Sequence, residues 1–182
     1  MRTLSLALLA LSVVLGTACG DDDGGVDCSA FTACGGDVTG TWHIAGSCVD
    51  PNAEPFPGCD EATTSGSPTE TGTVTLNEDG TYTAETMLTG SASFMIPGSC
   101  LAGLTSCDML ADETTTCTGT IDTACNCEIT FNDTTSETGT YTTSGNTITI
   151  TPTGEQPDPA EYCVSGNTLR VNSGDSTIVL TK

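Results

Sequence analysis

From residue 38 onward the chain alternates with a period of two. Thr71-Gly72-Thr73-Val74-Thr75-Leu76 puts a small or apolar side chain at every second position, Asn77-Glu78-Asp79-Gly80 supplies a turn, and Thr81-Tyr82-Thr83-Ala84 resumes the alternation. The same device recurs. Gly139 to Thr142 runs through Ser144-Gly145-Asn146 into Thr147-Ile148-Thr149-Ile150-Thr151, and Tyr162-Cys163-Val164 runs through Ser165-Gly166-Asn167 into Thr168-Leu169-Arg170-Val171. Trp42 to Val49, Ser91 to Ile96, Glu128 to Phe131 and Ser176 to Thr181 read as further strands. Threonine, the commonest residue, is β-branched and half polar, which suits a strand face in water. Helical periodicity is nearly absent, and only Ser99 to Leu110, with Leu101 and Leu104, is expected to wind a turn or two.

Eight to ten short strands joined by tight turns predict an all-β fold, a single antiparallel meander. It closes into an up-and-down barrel or splits into a β-sandwich, and closure removes the exposed edges. In a barrel the inward positions are Trp42, Val74, Leu76, Tyr82, Phe94, Ile96, Ile129, Phe131, Tyr141, Ile148, Ile150, Leu169, Val171, Ile178 and Leu180. Such an interior is either filled by its own side chains or wide enough for one small apolar ligand.

The leader changes the picture. Arg2, the apolar run from Leu4 to Leu15 and Leu15-Gly16-Thr17-Ala18-Cys19 have the form of an export signal, too short for a permanent bilayer span. The segment resembles a bacterial lipoprotein signal with a lipobox, although Gly16 stands where that family prefers Leu. The resemblance implies removal of residues 1–18 and lipidation of Cys19, which anchors the protein to a membrane of the bacterial cell envelope, the outer membrane in preference to the inner. An ordinary secretory signal is the alternative. Residues 19–37 form the lipidated cysteine and an acidic, Gly- and Asp-rich tether, with Gly20 to Asp27 too polar to fold, and 38–182 form one domain.

Eleven cysteines become ten once Cys19 is set aside: Cys28, Cys34, Cys48, Cys59, Cys100, Cys107, Cys117, Cys125, Cys127 and Cys163. An even set in an exported chain predicts a disulfide framework. The alternation turns Cys125 and Cys127 to the same side, so each should bond a neighbouring segment; the remaining connectivity stays open. Zinc is the rival use. Cys125, Cys127 and His43 could supply ligands, but no paired C-x-x-C element is present and no metal site is assigned.

Acidic residues number 24 against three basic ones, and Arg2 leaves with the leader, so the mature charge is −22. Nucleic acid and anionic headgroups are poor partners, and no nucleic acid is expected, since both are held by Lys and Arg clusters. Asp21-Asp22-Asp23 lacks the spacing of a calcium loop.

Gly40-Thr41-Trp42, the Gly-Thr-Tyr hairpins and the closing Tyr162, Gly166-Asn167-Thr168-Leu169 and Thr177-Ile178-Val179-Leu180-Thr181 resemble small bacterial lipocalin-like domains. The resemblance implies that Trp42 plugs the closed end of a barrel with a basic residue packed over it, for which Arg170 is the candidate. The cysteine-rich stretches from Cys48 to Cys59 and Cys100 to Cys127 depart from that pattern.

Catalytic machinery is not recognisable. His43 is the only histidine and, next to Trp42 on a strand, should face outward. No Gly-x-Ser-x-Gly elbow, phosphate loop or dinucleotide fingerprint occurs. No catalytic residue and no cofactor are assigned. The expected function is non-catalytic binding of a small apolar ligand or of an envelope protein partner. A hydrolase using paired carboxylates in a loop cleft and a purely structural envelope protein are the alternatives.

Overall fold

A computed structural model of the chain describes residues 28–49, 58–66, 68–174 and 176–182. The export signal, Cys19 and the tether up to residue 27 lie outside the described residues. The strands are β1 (Gly40–Val49), β2 (Thr63–Gly66), β3 (Thr69–Leu76), β4 (Thr81–Pro97), β5 (Thr115–Thr120), β6 (Ala124–Ser144), β7 (Thr147–Pro152), β8 (Asp158–Ser165), β9 (Thr168–Asn172) and β10 (Ser176–Thr181).

Eight of them close a ring. β3, β1, β10, β9, β8, β7, β6 and β4 follow one another antiparallel, and the β4–β6 pairing completes an up-and-down barrel. The three hairpins legible in the sequence are β3–β4, β6–β7 and β8–β9, and their turns gather at one end. Asp79 stiffens the first turn by accepting from the backbone N–H and the hydroxyl of Thr81. Ser91 to Ile96 and Glu128 to Phe131, expected as separate strands, are continuations of β4 and β6. These two remain paired from Thr81 opposite Thr140 to Pro97 opposite Ala124. Beyond the barrel this ribbon collects β2 on one edge and β5 on the other, giving a four-stranded extension in the order β2-β4-β6-β5. The segment from 99 to 110 holds only two 3-10 turns, Gly98–Cys100 and Cys107–Leu110.

The main core fills the barrel towards the hairpin end. Trp42, Tyr82, Ile148 and Leu169 are its largest fully buried side chains, packed with Val38, Leu76, Ala84, Ala160, Tyr162 and Leu180. Tyr141 and Ile150 are half buried against them. Gly139 is needed opposite Tyr82, since a Cβ there would come within 2.7 Å of Tyr82 Cε1. A register shift between Ile44 and Gly46 bulges β1 and reverses its later parity, so that Cys48 joins the outer face.

Phe94, Ile129 and Phe131 correct the expected barrel interior. Their parity is right, but they stand where β4 and β6 have left the barrel. Phe94 and Ile96 pack into a second core with Cys59, Leu101, Cys107, Cys125 and Cys127, while Phe131 and Ile129 join Ala92 and Leu88 in a third. The face that lines the barrel continues along the same two strands, so alternation alone cannot tell where the barrel ends.

Residues 28–37 also differ from the expected boundary. Residues 28–37 are fastened to the barrel as a strap, not part of a loose tether. The strap is held by Cys28–Cys48 on β1, by Arg170 of β9 donating to Ser29 O at 2.6 Å, by Cys34–Cys163 on β8 and by the Gly35 bridge to Cys163. It therefore crosses the outer face from β1 to β8, and Val179, directed outward on β10 opposite Arg170, is buried there.

Candidate binding groove on the four-stranded extension

Side chains on one strand face repeat every second residue, and in a paired sheet they line up into rungs across the strands. In the extension, Thr63 stands opposite Met95, Met95 opposite Asn126, and Asn126 opposite Thr118. The next rung is Ser65, Ser93, Glu128 and Thr116. These eight side chains share one face. With an interstrand spacing of about 4.8 Å, each rung spans roughly 14 Å. The face is hollowed into an open groove of about 380 Å³, floored in part by Phe94 and Cys127. That volume falls within the range of about 300–1,000 Å³ of ligand pockets.

The groove is polar, hydroxylated and poor in charge. Glu128 is its one ionisable group, and Met95 is the one apolar side chain among the eight on this face. Among the described residues, the side chains of Thr63, Ser65, Ser93, Thr116, Thr118, Asn126 and Glu128 make no hydrogen bond within the protein and face outward. The reverse face carries the second core, capped by the two 3-10 turns. Three of the five disulfides lie here: Cys59–Cys100, Cys107–Cys125 and Cys117–Cys127, the last joining residues directly opposite each other on β5 and β6. Their number follows from the size of that core, in which four of six buried residues are half-cystines. The groove thus sits on a cross-linked platform.

All ten cysteines named from the sequence are joined in pairs, so none of them is a thiolate available to a metal. Cys125 and Cys127 do bond separate segments. Five disulfides accord with an extracytoplasmic, oxidising location.

Inside the barrel the structure adds acids that the sequence reading did not single out. Glu137 accepts a hydrogen bond from the Tyr82 hydroxyl, at the position opposite Ala84. Burial raises the Glu137 pKa, Glu155 adds to the rise through its charge, and the bond from Tyr82 opposes it. Glu70, two residues along β3 from Gly72 and four from the buried Val74, has its pKa raised by burial. Alternation shows that both positions face inward, but two acids in a Thr-rich strand carry no signal of burial until the register is known.

The remaining site residues fall as follows. His43 is exposed on the outer face of β1, opposite Thr73 and Thr181. The basic residue over Trp42 is Lys182, not Arg170: Lys182 Nζ lies 4.3 Å from the indole centroid and donates to Thr39 O at 2.9 Å. Arg170 is on the opposite side of the wall, 5.6 Å from the Phe31 ring. The indole N–H itself donates to Val38 O at 2.6 Å. Comparison of the chain with protein-family models, with curated proteins and with solved structures finds no match.

Proposed function

We propose that this protein is a lipid-anchored, extracytoplasmic binding protein of the bacterial envelope. The lipocalin-like barrel is its scaffold and the disulfide-clamped extension carries its binding surface. One observation bears most of the weight: the ten cysteines from Cys28 to Cys163 satisfy one another in five disulfides, so the framework has no use for Cys19. A cysteine outside the framework, directly behind a small-residue cleavage site, fits an acylation site. Several acyl chains on one residue hold a protein firmly, at about 0.8 kcal/mol per buried methylene.

The burial of Trp42 beneath Lys182 supports the lipocalin-like reading of the barrel. Dense packing around Trp42, Tyr82, Ile148 and Leu169 favours the surface over the interior as the place of binding. Binding is preferred to catalysis because His43, the chain's only imidazole, stands on the outer wall away from the groove. The test is Cys19→Ser. The variant is expected to leave the membrane fraction for the soluble one, and the wild-type N-terminal peptide to carry lipid mass. Unchanged fractionation together with an unmodified peptide overturns the reading.

A further inference from the structure

We infer that the groove across β2, β4, β6 and β5 binds a neutral, polyhydroxylated ligand, a short oligosaccharide. The inference deepens the binding reading above and rests on it. It is carried by the chemistry of the eight-residue face. Five of the eight are Ser or Thr, each able to donate one hydrogen bond and accept two; Asn126 offers an amide donor and acceptor, and Glu128 a carboxylate acceptor. This is a mixed donor and acceptor surface suited to a partner that also both donates and accepts. Sugar hydroxyls do so, and the apolar patch of Met95 at the groove's centre gives a ring face something to lie on.

Charge narrows the class. No Lys or Arg lines the groove, and the whole mature chain carries 24 acidic against two basic residues, so phosphorylated, sulfated or carboxylated ligands are repelled. A cationic peptide is attracted by the general field but finds a single carboxylate, Glu128, in the groove itself. An apolar ligand is disfavoured as well, because it would strip water from seven polar side chains without replacing those hydrogen bonds. Rigidity also suits a weakly held, hydroxyl-bonded ligand: with Cys117–Cys127 tying β5 to β6 and Cys107–Cys125 fastening the second 3-10 turn to the reverse face of β6, the rungs are set before binding, and little ordering is left to oppose it.

The experiment is a titration of the full-length, detergent-solubilised protein labelled at its methionine methyl groups and at the indole nitrogen of Trp42, the chain's one tryptophan. Met95 reports on the groove, and Met87 and Met109, which are exposed elsewhere at 44% and 58%, serve as internal controls. The probes are maltotetraose, cellotetraose and chitotetraose, with an oligogalacturonate and a lysine tetramer for comparison. Saturable movement of the Met95 signal with at least one neutral tetrasaccharide, with Met87 and Met109 still, supports the assignment. Asn126→Ala and Glu128→Gln are each then expected to weaken binding roughly three- to tenfold, the loss of one hydrogen bond. No movement with any neutral sugar, or movement with the lysine tetramer alone, overturns the inference. Shifts confined to the Trp42 indole signal would overturn the groove while leaving the wider binding reading in place, and the membrane fractionation of Cys19→Ser tests the anchor separately.

Discussion

Lys182 closes the barrel over Trp42, its ammonium 4.3 Å above the indole and bonded at 2.9 Å to Thr39 O, while the indole N–H reaches Val38 O beneath. The end of β10 and the entry to β1 are thereby joined across the hairpin end of the barrel. Replacing Lys182 with Ala removes a cation–π contact and a charged hydrogen bond and is expected to cost about 1–2 kcal/mol. Urea denaturation measures it. A midpoint unchanged from wild type would show that the contact contributes nothing.

The two tyrosines expected in the core, Tyr82 and Tyr141, differ in depth. Tyr82 is 2% exposed, packed on Gly139 and bonded to Glu137, whereas Tyr141 is half buried and anchors the 77–80 turn through its hydroxyl to Asn77 O at 2.8 Å. Tyr82→Ala is therefore expected to cost about 3–5 kcal/mol, and Tyr141→Ala about 1–2 kcal/mol. His43→Ala, on an exposed outer position, is expected to stay within about 0.5 kcal/mol of wild type. Equal losses for the two tyrosines would contradict the placement of Tyr82 in the buried core.

The disulfides are expected to differ in value with the length of chain they close. Cys34–Cys163 spans 129 residues and Cys117–Cys127 spans 10. Loop-closure entropy assigns the first about 5 kcal/mol and the second about 3 kcal/mol. Paired Ala replacements compared by thermal unfolding should keep that order. Titration of the denatured, unreduced protein with a thiol reagent should find no free thiol among the ten cysteines. Two or more per chain would refute the framework.

Stability should rise on mild acidification. Glu70 and Glu137 have folded pKa values raised above the ordinary 4.5, chiefly by burial, so the native barrel holds these protons more tightly than the unfolded chain does. Their contribution is full below pH 4.5 and is lost as pH rises through the raised values. Asp37, Asp79 and Asp112 act in the opposite sense: hydrogen bonds from neighbouring threonines lower them below 3.8, and their contribution is lost as pH falls through those lower values. Melting temperatures are expected to climb from neutral pH towards the glutamate range and to drop in stronger acid. In the double variant Glu70→Gln/Glu137→Gln the climb should be smaller. An identical profile would exclude these two groups as its source.

The alternation around Thr71 to Ala84, Gly139 to Thr151 and Tyr162 to Val171 was enough to identify three hairpins and an all-β fold. The reason is that strand parity and tight turns of two to four residues are local: each is decided by neighbours within about ten residues. The even cysteine set likewise implied five bridges without any coordinates. Which cysteines pair was not legible, nor were β2 and β5, whose four and six residues look like any other Thr-rich stretch.

Only the tertiary structure decided where the barrel stops. Phe94 and Phe131 obey the same period as Tyr82, yet they lie on a β4–β6 ribbon that has left the barrel, and no feature of one strand records how far its partner some forty residues away accompanies it. The groove arises the same way. Thr63, Met95, Asn126 and Thr118 come from four separate stretches of sequence, and only the long-range register of the strands brings them into one rung. The choice of Lys182 over Arg170 was equally a matter of packing: both are cations on or beside the final strands, but Arg170 points away from the barrel axis, towards the strap, while Lys182 follows β10 past its end and turns over the indole. Sequence by itself determined the local alternation and the number of bridges; non-local pairing, which chain entropy opposes until enough contacts form together, decided the extension, the groove and the closed end.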